Sequence, residues 1–411
     1  MTSMPLEKSP MPGPAGRVAE LADQCVQCGL CLPVCPTYAL DRNEAESPRG
    51  RIAIAAALSS GLAEPTAELR EPLDHCLGCL DCEKVCPAQV QYDELLIETR
   101  ALLGPSSRHP RRLLSLIKRP ALLRALRRLG HGIALPRWKG WLIRRLPAHS
   151  PWRTALLTLP ATLPASPVRA GDQDIGKVRL ALFPGCVASV EDAEAQQAAI
   201  TLLQAAGFRI SVLPAFCCGA MDLHGGATQA AEQAAQRVRS AWEASGATQL
   251  VSVTPGCLGT LRRALPGVRV LDPLTLLATH AESLQFRPLS LRVVVHLPCT
   301  QVNVACSDSA LLQLLRHVPD LDVMPLPRPP HCCGAAGSHL LEFPERAAPL
   351  RDATLRQAAT LDPQQLLSSN IGCRLYLAAG IDAQGLHWPT RHPLSLLAQQ
   401  LMNAPSEQEN P

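Results

Sequence analysis

Two stretches of the chain share one cadence. Cys25-Val-Gln-Cys28-Gly-Leu-Cys31-Leu-Pro-Val-Cys35-Pro36 and Cys76-Leu-Gly-Cys79-Leu-Asp-Cys82-Glu-Lys-Val-Cys86-Pro87 each read C-x2-C-x2-C-x3-C-P. This is the ligand run of proteins that hold a pair of [4Fe–4S] clusters. Three thiolates spaced by two residues wrap one face of a cubane. In two-cluster proteins the fourth Cys of a run ligates the other cluster. The spacing therefore predicts one site on Cys25, Cys28, Cys31 and Cys86, and the other on Cys76, Cys79, Cys82 and Cys35. Pro36 and Pro87 lack an N–H and turn the chain after the last ligand.

Other uses of cysteine fit less well. C-x2-C alone is a common zinc element, but zinc does not require four cysteines twice in the same rhythm. A disulfide framework belongs to oxidising compartments, and nothing here indicates secretion. Met1–Gly16 holds four prolines and no apolar core segment, so it reads as a flexible tail rather than a signal peptide. No stretch approaches the ~20 apolar residues of a membrane span. The expected location is the cytoplasm, with room for peripheral attachment to the cytoplasmic face of the inner membrane.

At 411 residues the chain has room for two or three cores. The net charge of +4 conceals a division. Thr99 to Gly171 carries fifteen Lys/Arg and no Asp or Glu, whereas the remainder is net acidic. The boundaries expected are a tail at 1–16, a ferredoxin-type domain at 17–100, a basic Pro/Arg-rich helical linker at 101–175, α/β repeats at 176–285 and 286–403, and a tail at 404–411. Forty residues separate Cys35 from Cys76, too many for a compact ferredoxin hairpin. Ser47 as cap, Pro48 in the first turn, then Ala and Leu to Gly61 predict a helix there. The N-terminal domain is thus read as an α-helical ferredoxin.

In the basic segment, Leu122, Leu123, Leu126 and Leu129 share a face, with Arg124, Arg127 and Arg128 off it. Trp138, Trp141, Leu142 and Leu146 repeat the pattern against Arg137, Lys139, Arg144 and Arg145. Such helices suit packing on the acidic remainder or on a partner; the same faces also suit peripheral contact with an anionic membrane. Nucleic acid is not expected, since no reader motif is present.

From Lys177 strand and helix signals alternate in two copies. Strands are expected at Val178–Pro184, Arg209–Pro214, Leu250–Thr254, Leu291–Leu297, Asp322–Leu326 and Gln365–Asn370. Helices are expected at Ala193–Ala206, Thr228–Ser245, Ser309–His317 and Leu350–Thr360. The copies share a second cysteine pattern: Cys186, Cys217-Cys218-Gly219 and Cys257, then Cys299, Cys332-Cys333-Gly334 and Cys373. Each falls just past a strand, where open α/β sheets build sites. Each half would gather four thiols for a further redox centre; inert buried thiols are the alternative. His296, His331 and His339 lie nearby and are left out of the ligand set. Cys306 is left over and reads as a small buried apolar residue. The fold class expected is α+β multidomain: an α-helical ferredoxin domain, then a duplicated α/β cysteine-rich domain.

From Cys25 to about Leu401 the chain resembles the glycolate oxidase (glycolate dehydrogenase) iron–sulfur subunit family. The resemblance rests on Cys28-Gly-Leu-Cys31 through Cys35-Pro-Thr-Tyr38 and on Pro48-Arg-Gly-Arg-Ile52. It continues in Cys217-Cys-Gly-Ala-Met-Asp222-Leu-His224, His331-Cys-Cys-Gly-Ala-Ala-Gly337 and Asn370-Ile-Gly-Cys373. It implies a partner subunit that carries FAD and oxidises glycolate to glyoxylate, and a downstream acceptor such as a membrane quinone. This chain would relay electrons and contribute no catalytic residue. No G-x-G-x-x-G follows a strand and no nucleophile–base set is visible, in keeping with that division of labour. Similar Cys-Cys-Gly repeats occur in the anaerobic glycerol-3-phosphate dehydrogenase C subunit, lactate-utilisation proteins and heterodisulfide reductase, so service to those substrates is the alternative. A stand-alone redox sensor is a further one. The heterodisulfide reductase pattern closes each repeat with C-x2-C; here Thr260 and Tyr376 stand at the final cysteine. Five-thiolate ligation is therefore not expected.

Overall fold

A computed structural model describes residues 13–133, 135–168, 178–327 and 332–402, with the side chains of 135 and 136 left aside. The expected tail at 404–411, most of that at 1–16, the 175/176 boundary and His331 lie outside these residues. The chain divides into two units: residues 1–107 with Asp222–Thr228, and residues 108–221 with 229–411.

In the first unit, helices Pro14–Asp23, Pro48–Ser59 and Tyr92–Leu103 pack together. Their core holds Val18, Leu21, Ile52, Ala55, Tyr92, Leu95 and Leu96. The first helix begins at Pro14, two residues before the expected end of the tail. The insert between the cysteine runs is helical from Pro48, as its cap demands: the Ser47 hydroxyl accepts the Gly50 N–H at 3.0 Å. The two ligand loops repeat one backbone shape. The residue before the second Cys and the residue after it are left-handed in both, Gln27 and Gly29 in one, Gly78 and Leu80 in the other. Arg100 is buried and donates to the carbonyls of Leu73, Asp74, Cys76 and His224. It thereby ties the second ligand loop to the Asp222–Thr228 segment.

The second unit carries the duplication. In the first repeat, strands β1 (Arg179–Leu182), β2 (Arg209–Val212), β3 (Gln249–Val251) and β4 (Val270–Leu271) form a parallel sheet in the order β2-β1-β3-β4. In the second, β5 (Leu291–His296), β6 (Leu321–Pro325), β7 (Gln365–Ser368) and β8 (Thr390–Arg391) do the same as β6-β5-β7-β8. Ala181 faces Ser211 and Leu250; Val294 faces Met324 and Leu366. The copies embrace reciprocally: helix Ala193–Ala205 packs on Pro393–Gln400, and Asp308–Arg316 on Pro273–Thr279. One core, with Leu180, Leu182, Val293 and Val295 at its centre, serves both.

The helices after β4 and β8 are capped at equivalent positions by different chemistry. Asp272 accepts the Leu274 N–H at 2.9 Å and the Ser307 hydroxyl at 2.8 Å. His392 Nδ1 accepts the Leu394 N–H at 3.1 Å, which leaves Nε2–H to donate to the Val253 carbonyl at 3.2 Å. Burial pushes the Asp272 carboxyl up to about 6 and the His392 imidazole down. Asp272, with its folded pKa above the unfolded one, costs stability as pH rises from about 4 to about 6. His392, with its folded pKa below the unfolded one, costs stability as pH falls below about 6.5. Asn keeps the cap without the charge. Asp272→Asn is therefore expected to gain up to about 3 kcal/mol above pH 6 and little at pH 4, as read by urea unfolding across that range.

Around the basic helices part of the charge faces inward, while Arg111, Arg112, Arg128, Arg137, Arg144 and Arg145 are exposed. In Pro120–Gly132, Leu123 and Arg127 are buried. Arg127 pairs with Glu191 at 2.7 Å, with both side chains about 5% exposed, and Arg124 donates to the Ser189 carbonyl. Arg108 pairs with Glu345 and His109 with Glu342. Leu122, Leu126, Leu129 and Ile133, at i, i+4, i+7 and i+11, face outward and are 39–64% exposed. Packing on acidic parts of the chain is thus observed, but through the arginine edge and not the leucine face. Cys306, expected to be buried, is exposed: it ends the π-helical turn Gln301–Ala305 in a left-handed conformation. Among the described residues no helix is long and apolar enough to cross a membrane.

Candidate iron–sulfur sites

Cys35, Cys76, Cys79 and Cys82 line a single cavity together with Pro36, Thr37, Pro48, Arg51, Leu77, Leu80 and Tyr92. These are the four thiols that the crossed reading of the two runs assigns to one cluster. Cys35 comes from one run and the other three from the second, so the cavity itself crosses the repeat. Cys82 is buried, and burial first, then the nearby Cys76, Cys35 and Cys31 thiols, push its pKa well up. Packed thiols resist becoming anions together; a polynuclear iron core supplies the positive charge that lets them. Two hydroxyls reach the sulfurs, Thr37 Oγ1 at 3.3 Å from Cys35 and Tyr92 Oη at 3.6 Å from Cys76. Among the described residues no three Cys, His, Asp or Glu side chains are arranged to hold a single metal ion.

The second predicted set is more open. Cys25, Cys31 and Cys86 pack against the same core, and Cys28 is exposed. The Pro48–Ser59 helix aims its N-terminus here. Burial raises the Cys31 thiol, opposed by the Arg49 backbone N–H that bonds its sulfur. The Arg49 side chain donates to the Gln27 carbonyl at 3.2 Å and pairs with Glu44. Arg51, two residues on and so nearly opposite around the helix, enters the first cavity. It is 1% exposed. Nε donates to the Pro72 carbonyl at 2.6 Å, Nη2 to Glu46 at 2.6 Å, and Nη1 points at the Cys35 sulfur at 3.9 Å. Glu46 in turn meets His75 Nδ1 at 2.6 Å. The Pro-Arg-Gly-Arg run thus reaches both thiol sets.

In the α/β repeats the four thiols of each half meet in the same chain order. Cys186 touches Cys217, Cys217 touches Cys218, and Cys218 touches Cys257. Cys299 touches Cys332, Cys332 touches Cys333, and Cys333 lies 2.8 Å from Cys373. Cys217 is held well below the usual thiol range by bonds from Cys186, Cys218 and the Gly219 N–H, while its neighbours are pushed up. The glycine after each pair donates to the first sulfur at 3.4 Å in both repeats. It has no alternative. Gly219 and Gly334 are left-handed, and a Cβ would come within 2.8 Å of Ala234 Cβ and 2.4 Å of the Ala347 carbonyl. Cys186 follows β1 and Cys257 follows β3, neighbouring strands whose ends flank the sheet's switch point.

Just past their strands, Cys257 and Cys373 sit in the first turns of helices Pro255–Ala264 and Ile371–Ala383. Pro255 and the Asn370 cap were the signals for those starts. One turn along, at i+3, stand Thr260 and Tyr376. The Thr260 hydroxyl is buried with no hydrogen-bond partner among the described residues, and Arg351 lies over the Tyr376 ring at 4.9 Å. These side chains occupy the position of the fifth thiol in the heterodisulfide reductase pattern. His296 Nδ1 meets Ser368 at 3.0 Å, and the His339 ring lies tilted by 41° against Phe343.

Comparison with known proteins agrees with this anatomy. Residues 21–90 match the 4Fe-4S dicluster domain, and residues 180–262 and 293–378 each match the cysteine-rich domain. The chain is 29% identical to the glycolate oxidase iron–sulfur subunit of Escherichia coli, over 89% of this chain and 91% of that one. It is 28% identical to the probable glycolate oxidase iron–sulfur subunit of Bacillus subtilis, over 89% and 90%. A hypothetical protein from Helicobacter pylori, solved by crystallography, shares the fold at 11% identity with a TM-score of 0.50, over 96% of this chain and 72% of that one. The chain thus joins a 4Fe-4S dicluster domain to two cysteine-rich domains, and over nearly its whole length it is similar to proteins named as glycolate oxidase iron–sulfur subunits.

Proposed function

We propose that the chain is the electron-transfer subunit of a flavin-dependent glycolate dehydrogenase, taking electrons from a partner that carries FAD and oxidises glycolate to glyoxylate. The carrying observation is the single cavity lined by Cys35, Cys76, Cys79 and Cys82. Cys25, Cys28, Cys31 and Cys86 are the ligands proposed for the other cluster. Bound at these two sites, [4Fe–4S] clusters supply one-electron relay. The chain's own residues exclude water from the first site, through Pro36, Leu77 and Leu80, and present Thr37, Tyr92 and Arg51 to its sulfurs. The thiol sets at Cys186, Cys217, Cys218 and Cys257, and at Cys299, Cys332, Cys333 and Cys373, are proposed as further iron–sulfur centres. The names of the Escherichia coli and Bacillus subtilis relatives support glycolate as the substrate. Anaerobic co-purification from the native host, flavin analysis and dye reduction across small 2-hydroxyacids test the reading. A bound flavoprotein and glycolate-dependent reduction are expected. Reduction by glycerol 3-phosphate or lactate alone would move the chain to the alternative complexes, and recovery with no flavoprotein would favour a sensor.

Delivery to a membrane quinone would require contact with the bilayer. Support comes from the outward leucine stripe of Pro120–Gly132 and from Trp138, Trp141 and Trp152, 46–61% exposed in a stretch without a carboxylate. The purified complex is expected to co-sediment with phosphatidylglycerol vesicles and not with phosphatidylcholine vesicles. Leu129→Ser with Trp138→Ser should cut the bound fraction at least tenfold. Equal recovery on both lipids, or none on either, refutes the contact.

A further inference from the structure

We infer that Arg51 separates the reduction potentials of the two cluster sites, making the one held by Cys35, Cys76, Cys79 and Cys82 the easier to reduce; this rests on the reading of those cysteines as cluster ligands. A buried ion pair is weak support for a fold, since apolar replacement is often neutral or better. Arg51 therefore calls for another reason to be where it is. Its Nε and Nη2 are spent on the Pro72 carbonyl and on Glu46, and these two bonds fix the guanidinium plane so that Nη1 faces the Cys35 sulfur. Because guanidinium does not lose its proton, the charge is permanent. Reduction adds one electron to the cluster and one negative charge to the site. A fixed cation in a dry cavity favours that added charge, and no proton need follow it. In the proposed complex the electron comes from the reduced flavin of the partner.

The other site has an arginine too, but a different environment. Arg49 is about one-third exposed, its charge is shared with Glu44, and it reaches the Gln27 carbonyl and no sulfur. Cys28 of that set is open to solvent. Both arginines have a carboxylate partner, Arg51 in Glu46 and Arg49 in Glu44, so the difference lies in water, which screens the exposed Arg49, and in geometry, since Arg51 turns Nη1 to the Cys35 sulfur. Two arginines one residue apart thus act unequally on two otherwise equivalent cysteine runs, and the inequality gives the pair a downhill direction.

The test is an anaerobic potentiometric titration of the reconstituted full-length chain, followed by electron paramagnetic resonance. Two midpoints are expected. Arg51→Gln should lower one by at least tenfold in the reduced-to-oxidised ratio at fixed potential, about 59 mV for one electron, and leave the other in place. Arg51→Lys should recover most of the difference, and Arg49→Gln should move neither midpoint more than threefold. If Arg51→Gln does not fold, Glu46→Gln with Arg51→Gln keeps a neutral hydrogen-bonded pair and should lower the same midpoint at least threefold. Intact spectra with both midpoints within twofold of wild type in both the single and the double variant overturn the inference. A wild-type chain that yields no cluster signal refutes the ligand reading instead, so the two failures are distinct.

Discussion

Cys82→Ser is expected to lower the iron bound by the ferredoxin domain from about eight atoms to about four, and Cys28→Ser to do the same. The two substitutions differ in what else they do. Cys82 is buried in the core of the first unit among Ile52, Val90 and Leu96. A serine hydroxyl there has no assigned partner, so the apo chain should also lose about 1–3 kcal/mol. Cys28 is exposed, and its loss should leave the apo stability within about 0.5 kcal/mol. Iron analysis after anaerobic reconstitution, with urea unfolding of the apo chain, separates the two effects. In the complex with the flavoprotein, each variant should stop dye reduction downstream while glycolate still bleaches the partner's flavin. Unchanged iron in either variant would contradict the ligand set. Cys218→Ser and Cys333→Ser extend the test to the repeats: altered spectra are expected there, and unaltered spectra would mark those thiols as inert.

Gly50→Ala is the second large effect. A Cβ at residue 50 would stand 2.0 Å from the Glu44 carbonyl oxygen and 3.1 Å from Ala45 Cα. Both are backbone atoms, so the turn Glu44–Glu46 must move as a piece. Glu46 would leave its bonds to Arg51 and His75, and Arg51 would lose the plane that faces Cys35. About 3 kcal/mol of stability is expected to go, together with the shape of the thiol-lined cavity. Gly132→Ala is the control, since nothing lies within 4 Å of its Cβ and helix propensity favours alanine. It should be neutral or up to about 1 kcal/mol stabilising. Equal behaviour of the two variants in thermal unfolding would contradict the packing described for the Pro-Arg-Gly-Arg run.

What could be read from the sequence followed from local chemistry. The cysteine cadence suggests two crossed ligand sets, and the four thiols of one of them, Cys35, Cys76, Cys79 and Cys82, line one cavity. Strands β1, β2 and β5–β7 declared themselves through short apolar runs, and Thr228–Ser245 through its alanine-rich period. The short strands β4 and β8, two residues each, carry too little pattern to be seen. The helix at Pro344–Ala359 starts six residues before its expected beginning because it runs through Pro349. Periodicity in Pro120–Gly132 shows that the helix has two faces but not which one turns inward. Glu191, sixty-four residues away from Arg127 in sequence, decides that. The same holds for Asp222-x-His224: its residues look like part of a cysteine-rich repeat, yet Arg100 holds the His224 carbonyl within the first unit. Arg51 belongs here as well. The motif flagged it, but only the fold shows a guanidinium beside a cysteine sulfur.

The central claim is that this chain carries two [4Fe–4S] clusters on eight cysteines, and the most direct measurement is of the intact protein made without oxygen. Iron and acid-labile sulfide are quantified beside circular dichroism, and the dithionite-reduced sample is examined by electron paramagnetic resonance. A brown, folded protein with at least about eight iron and eight sulfide per chain and the signal of two interacting reduced clusters is expected. A folded, colourless protein without sulfide, or one that holds zinc in place of iron, would contradict it.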